Sequence, residues 1–380
     1  MVAYQKVGDL ISKSPIEKCG NRDYPVLSMT MRDGIVFQND RFKKQIASVD
    51  QSTYNVVRKN QLVVSFPIDE GVLAVQDITD AGIVSPAYKI WNIDESQVVP
   101  KYLELFLRSP HSIQYYKSKL RGTTARRRSI TDADLLDMEV PKKTLEEQSR
   151  IIECLSKSQN VIRLYQQQLE KFDELIKARF VEMFGDPMTN PLNWKKDNAE
   201  HHIDLLSGYP FKSEQYVDSG VNICGGLIIM PQRIEWDSCV HLATTKGYEE
   251  YLLAKGDIVM ALDRPWITEG FKIALVDGEH LPALLIQRTA RIRATDINQK
   301  YLYHCFINGG FDKHTNITGS LVPHISAKDI KSFEIMLPQI DLQTQFAAFV
   351  EQNDKSKVAV QKALDEAQLL FDSLMQEYFG

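Results

Sequence analysis

The sequence predicts an α+β protein in which two pseudo-repeated mixed α/β domains are separated by two long helices, packed on each other as an antiparallel coiled coil with pseudo-two-fold symmetry. Three observations carry this reading. The second half of the chain replays the first at an offset of 195 to 199 residues, two stretches of about 40 residues show an apolar stripe at helical spacing, and the segments before them mix short strand and helix signals. A long period in only two copies does not describe a solenoid, which stacks several units of roughly 20–50 residues. It describes a duplicated unit of domain plus helix. The expected boundaries are 1–141 for the first domain, 142–185 for a central helix, 186–338 for the second domain and 339–380 for a C-terminal helix.

The repeat is legible residue by residue. Asp9, Leu10 and Ile11 return as Asp204, Leu205 and Leu206, and the segment 57–65 returns as 253–261. Lys101, Tyr102 and Leu103 return as Lys300, Tyr301 and Leu302, Thr131 and Asp134 as Ser326 and Asp329, and Glu182 to Gly185 as Glu377 to Gly380. In the first domain, 62–66 and 82–85 read as strands and 101–108 and 112–120 as short helices. In the second, 257–261, 272–276, 283–286 and 290–293 read as strands, with turn signals at Asp277-Gly278 and Gly309-Gly310. Thr131 with Asp134 and Ser326 with Asp329 have capping-box spacing, opening a small helix before each long one.

From Leu145 to Phe184 apolar residues recur three and four apart with no Pro or Gly until Gly185, which predicts one helix of about 60 Å at 1.5 Å per residue. Gly185 and the following Pro187 and Pro191 end it. From Leu342 to Phe379 the same stripe recurs. A helix this long cannot bury its stripe on one small domain, so the two are expected to bury it on each other. Phe172, Ile176 and Phe180, with Phe371, Met375 and Tyr378, widen the apolar arc beyond a coiled-coil seam. Such surplus apolar surface is expected to bind a partner.

The composition is that of a soluble cytoplasmic protein, with no apolar run of the roughly 20 residues a membrane span needs and no signal peptide. Cys19, Cys154, Cys224, Cys239 and Cys305 are odd in number and form no C-x-x-C pair, so they are expected to be reduced and to hold no metal. The net charge of −5 speaks against nucleic acid only until it is divided. Residues 1–141 hold 19 Lys and Arg against 17 Asp and Glu, the first helix 8 against 7, residues 186–337 hold 15 against 19 and the rest 3 against 7. Local clustering matters more for DNA. Lys117, Lys119, Arg121, Arg126, Arg127 and Arg128 form a basic stretch without an acid, and its Gly122 and Thr123 offer amide and hydroxyl groups to phosphate. The corresponding place in the second copy carries Ser320 and His324. Arg288, Arg291 and Arg293 add a basic strand, one member of which serves equally well as a structural ion pair.

Several motifs together give a resemblance. Ser207-Gly-Tyr-Pro-Phe-Lys-Ser-Glu-Gln-Tyr216, Lys255-Gly-Asp-Ile-Val259, Leu281-Pro-Ala-Leu-Leu285 with Gln287-Arg288, Leu145-Glu-Glu-Gln148, and Met183-Phe-Gly-Asp-Pro187 stand in this order inside the duplication. Over its whole length the chain resembles the specificity subunit of a Type I restriction-modification system. The N-terminal domain departs from the pattern, offering Ser12-Lys-Ser-Pro15 in place of the Gly-Tyr-Pro-Phe stretch. The resemblance implies two target recognition domains, each reading one half of a bipartite site in double-stranded DNA. It implies helices that set the gap and dock two methyltransferase subunits, with translocating restriction subunits joining them. S-adenosylmethionine, ATP and Mg are then expected on those partners and no cofactor on this chain.

For reading duplex DNA, Tyr209 near Lys212 is a candidate for sugar or thymine methyl, and Arg264, Lys272, Lys313 and His314 for phosphate or base edges. Tyr209 and Phe211 serve equally well as core anchors, and His314, His201 and His202 as surface residues. No glycine-rich loop for S-adenosylmethionine, no Asn-Pro-Pro-aromatic loop and no P-loop is present, so no catalytic residue is expected. A diverged enzyme and a scaffold that binds only protein are the competing classes. Methylation by the chain alone would mark the first, and absence of sequence-dependent DNA affinity the second.

Overall fold

The computed structural model describes residues 3–31, 33–41, 51–120, 128–315 and 323–380. The chain forms two compact units. Unit 1 is Met1–Gln166 with Gln361–Gly380, and unit 2 is Gln167–Val360. Both long helices are continuous, Leu145–Phe184 and Ile340–Phe379, each of 40 residues. Gly185 follows the first with φ 78°, the left-handed cap that glycine alone adopts without strain.

Unit 1 is built on a four-stranded antiparallel sheet in the order Ile11–Lys13, Lys89–Ile93, Leu62–Val64, Leu73–Val75. Its buried face packs on the helix Pro100–Leu107 through Trp91, Tyr102 and Phe106. Tyr4–Lys6 pairs antiparallel with Glu139–Pro141 just before the long helix. Unit 2 repeats the plan. Its sheet runs Ile203–Ser207, Thr289–Ala294, Ile258–Ala261, Ile273–Leu275, its helix is Gln299–Asn308, and Lys196–Asn198 pairs with Glu334–Met336. Both expected capping boxes form, Thr131 with Asp134 and Ser326 with Asp329. The duplication in the sequence is therefore a duplication of topology.

The same buried amide fastens each long helix to its domain. Gln148 accepts from the Val99 N–H at 2.7 Å and donates to the carbonyls of Gln97 and Lys143 at 3.1 and 2.9 Å. Gln343 accepts from the Asn298 N–H at 2.8 Å and donates to the Pro338 carbonyl at 2.8 Å. Val99 and Asn298 are the N-caps of the two domain helices. Tyr102 and Tyr301 repeat the logic one turn on, donating to the carbonyls of Pro141 and Met336 at 3.1 and 2.9 Å.

The far ends of the long helices are core elements, which corrects the expectation of surplus apolar surface. In unit 2, Ile176, Phe180 and Phe184 are buried with Phe346 and Val350, and Phe184 meets Tyr301 at 4.8 Å and Phe346 at 5.5 Å. Within this unit the two helical stretches run in opposite directions, Phe180 meeting Phe346 at 5.4 Å and Asp173 meeting Lys357 at 2.6 Å. In unit 1, Met375 and Phe379 are buried with Ile151 and Leu155, and Phe379 meets Tyr102 at 5.3 Å. Ile176, Phe180 and Met375 are thus not available to a partner, because a fully buried aromatic or aliphatic side chain contributes about 1.5–3 kcal/mol to its own core. Phe172, Phe371 and Tyr378 are half-buried.

Two outcomes follow from this packing. Gln148→Leu leaves the Val99 N–H buried without an acceptor, a loss of about 1–3 kcal/mol, so hydrogen exchange at Val99 should accelerate roughly 10- to 100-fold. Exchange at Asn298, held by Gln343, should be unchanged in that variant. His304 is buried against Phe346, and burial together with Lys300 and Lys357 lowers its pKa from the ordinary 6.5 to about 3. The unfolded chain then binds the extra proton as pH falls below about 6.5, so stability is complete above that value and declines toward pH 3. Chemical denaturation from pH 7 to 4 should show this decline, and His304→Phe should flatten it.

Candidate nucleic-acid interface

Unit 2 carries a second four-stranded sheet in the order Tyr216–Val217, Val240–Leu242, Val221–Cys224, Ala283–Leu285, the last pair parallel. The turn 286–288 carries the chain from Ala283–Leu285 in this sheet into Thr289–Ala294 in the central one. Gly208 and Tyr209 hold that turn. Tyr209 N–H donates to the Leu285 carbonyl at 3.0 Å, and the Tyr209 carbonyl accepts from Gln287 N–H at 2.9 Å. A Cβ on Gly208 would lie 2.0 Å from the Ile286 carbonyl oxygen, so only glycine permits the approach. The Tyr209 ring packs in a cluster with Phe211, Tyr248 and Tyr251 at 4.9, 5.0 and 5.2 Å. Tyr209 is therefore an architectural residue, and the assignment of its ring to DNA is corrected.

Beside this turn lies a concavity of about 730 Å³. Its rim carries three residues singled out from the sequence, Arg264, Lys272 and Arg288, together with Asp263, Gln287 and the Gly225-Gly226-Leu227 loop. Arg264 and Arg288 both have left-handed backbones, φ 46° and 63°. Non-glycine residues rarely adopt that region, and clusters of them mark functional sites. Arg288 is 74 % exposed in its side chain and lies 3.2 Å from Asp263. His324 reaches the other oxygen of Asp263 at 2.6 Å. It is placed there by an edge pairing in which Arg264 N–H donates to the Pro323 carbonyl and Ile325 N–H to that of Leu262. Arg264 is exposed, and among the described residues no acid holds its guanidinium.

Lys272 is corrected. It is 7 % exposed, donates to the Gly226 carbonyl, and burial pushes its pKa down. It props the Gly225-Gly226-Leu227 loop from below and offers no free cation to phosphate. Arg291 and Arg293 are not a basic face either. Arg291 is held by Asp204 at 2.8 Å and the Glu250 carbonyl at 3.1 Å, and Arg293 by both oxygens of Asp257 at 2.5 and 2.8 Å. Lys212 and Lys313 are exposed but do not line the concavity. His314 packs on Phe333 at 5.4 Å and meets the Asp329 carbonyl at 3.1 Å, a structural role. His202 is likewise no free surface residue, since it bridges Asp296 at 2.9 Å and Asp197 at 3.5 Å.

In unit 1 the basic stretch divides. Lys117 and Lys119 are exposed at the end of the helix Pro110–Lys119, Lys119 lying 5.6 Å over the Tyr115 ring. Arg128 is clamped by Asp69 at 3.0 Å and Glu70 at 2.5 Å, so its charge is already matched. Arg121, Thr123, Arg126 and Arg127 lie outside the described residues, as does Ser320 of unit 2. Reasoning from sequence missed Asp263 and Leu227, the latter 92 % exposed at the lip. An acid and an apolar residue give no signal in a search for cations. Arg264, Lys272 and the Gln287-Arg288 pair were the sequence marks of this place.

Comparison with known proteins agrees with this geometry. Residues 208–367 match the Type I restriction modification DNA specificity domain. The chain is 23% identical over 375 residues to the Type I restriction enzyme MjaVIII specificity subunit of Methanocaldococcus jannaschii, covering 90% of this chain and 83% of that one. It is 31% identical over 163 residues to the Type I restriction enzyme EcoAI specificity subunit of Escherichia coli, 40% of this chain and 27% of that one. Among solved structures, the S subunit of a Type-I restriction-modification system from M. genitalium superposes with a TM-score of 0.54 at 15% identity, over 100% of this chain and 96% of that one. A chain from a study of complex assembly and conformational transition in the type I R-M system gives 0.55 at 18%, over 99% and 97%. At these identities the structures establish a shared fold. Residues 208–367 carry a Type I restriction modification DNA specificity domain, and over 90% of its length the chain is similar to a Type I restriction enzyme specificity subunit.

Proposed function

We propose that this chain is the non-catalytic subunit that gives a Type I restriction-modification complex its DNA sequence specificity, for both adenine methylation and restriction. Each domain reads one half of a bipartite site, 1–141 one block and 186–338 the other. The observation that carries this reading is the repetition of one sheet order in both units, with a cation-rimmed concavity at the turn between the sheets of unit 2. Two copies of one reading scaffold suit a target split in two.

The helices, 142–185 and 339–380, are the spacer. Their opposed course in unit 2 and the shared core of Ile151, Leu155, Met375 and Phe379 in unit 1 support an antiparallel coiled coil that fixes the gap between the blocks. Two methyltransferase subunits dock on it, and restriction subunits join them in the cytoplasm. The apolar groups left for docking are Leu164, Val358, Leu369 and Leu370, all exposed, with the half-buried Phe172, Phe371 and Tyr378 beside them. No helix among the described residues is long and apolar enough to cross a membrane.

Exchange of residues 186–338 for the corresponding domain of a relative, followed by long-read methylation mapping with the neighbouring methyltransferase, should change one block and leave the other and the gap intact. A change in both blocks would refute independent reading. In unit 1, Lys117→Ala with Lys119→Ala should weaken binding to every sequence and lower the log–log salt slope by about 1.8, since each phosphate contact accounts for about 0.9. Arg128→Ala should leave that slope unchanged and lower the melting temperature instead, because its partners are Asp69 and Glu70.

A further inference from the structure

The two arginines on the rim of the unit 2 concavity are chemically different. Arg264 stands without an acid among the described residues, whereas Arg288 lies 3.2 Å from Asp263 through Nη1. A phosphate contact is best served by an unmatched cation. The carboxylate beside Arg288 offsets its positive charge and repels an incoming phosphate, so Arg288 is poorly suited to the backbone. The same pair is well suited to a base pair. With Nη1 on Asp263, the guanidinium presents its Nε and Nη2 donors as a planar fork, and Asp263 presents an acceptor alongside. A G·C pair in the major groove displays the complement, the O6 and N7 acceptors of guanine next to the amino donor of cytosine.

The backbone prepares this arrangement. Arg288 sits at φ 63° in the turn held by Gly208 and Tyr209, its carbonyl accepts from Leu262 N–H at 2.9 Å, and His324 pins the second oxygen of Asp263. A long arginine side chain carries about 2 kcal/mol of rotamer entropy, and a guanidinium already oriented loses less of it on binding. In unit 1 the pair Leu62–Trp91 stands where Ile258–Ile292 stands in unit 2, which puts Pro67 and Ala87 at the places of Asp263 and Arg288. The acid–arginine pair is therefore particular to the second domain.

We propose that Arg288 and Asp263 together read one G·C base pair in the block assigned to the second domain, Arg288 through guanine O6 and N7 and Asp263 through the cytosine amino group, with Arg264 on the adjoining phosphate. This inference rests on the proposed DNA-reading function. The test uses the full chain assembled with its methyltransferase subunits and a library of DNA duplexes in which the second block is randomised. Wild type should require G·C at one position of that block. Arg288→Ala and Asp263→Ala should each lose a preference of roughly 10- to 100-fold at that one position, with the rest of the block and the salt slope retained. Arg288→Lys keeps the charge without the fork and should lose the same preference, which covers the case of a poorly folding alanine variant. Arg264→Ala should weaken all sequences alike and reduce the salt slope by about 0.9. A second block without G·C, or an Arg288→Ala variant that binds all sequences more weakly with a shallower slope and unchanged preference, overturns the inference. Should exchange of residues 186–338 alter no block at all, the failure would instead lie with the DNA-reading function itself.

Discussion

Each half of this protein depends on a buried glutamine amide that joins the first turn of a long helix to the N-cap of a domain helix. Gln148 and Gln343, themselves buried, satisfy backbone groups of the half-buried Val99 and Asn298, so loosening either helix would leave the glutamine amides without partners in the interior. A short apolar contact would hold the helix nearby without fixing its angle. The amide has two faces, one accepting and one donating, and both must be met at once, so the direction in which 60 Å of helix leaves its domain is set at its base. The last turn of each helix is then anchored by a phenylalanine in a core, Phe184 on Tyr301 and Phe379 on Tyr102. Each long helix is thus tied down at its first turn and at its last.

The concavity of unit 2 separates scaffold from exposed side chains. Gly208, the Tyr209 backbone and the aromatic cluster behind it shape the turn 286–288, and none of them needs to touch a ligand. Gln287 and Arg288 of that turn and Arg264 at the strand end are exposed, while Asp263 is half-buried between its contacts. A scaffold of this kind tolerates change in what it presents while its backbone stays put, the property expected of a surface that must recognise different sequences. The negative net charge is compatible with this, because acids such as Asp204 and Asp257 are matched to Arg291 and Arg293.

The two units share a sheet order and differ in what the same strands expose. Where unit 2 sets Asp263 and Arg288, unit 1 sets Pro67 and Ala87, and exposed cations of unit 1 stand instead at the end of a helix, on Lys117 and Lys119. Duplication supplied the framework, and the surfaces diverged on it because burial constrains the one and not the other.

The sequence by itself determined the duplication, the two 40-residue helices, their glycine terminator and both capping boxes, since these are properties of periodicity and of neighbours within a turn or two. It also marked Arg264 as a candidate contact and Arg288 as a member of a basic strand, whereas the structure sets both at exposed turns. Tertiary structure alone decided which basic residues are free. Arg291 finds Asp204 at a separation of 87 residues, Arg293 finds Asp257 at 36, and Arg128 finds Asp69, so three apparent DNA contacts are internal ion pairs. Likewise only packing showed that Ile176, Phe180 and Met375 fill domain cores. The reason is physical: a helix or a cap is written in local spacing, whereas the fate of a charge or an apolar group depends on which distant residue the fold brings against it.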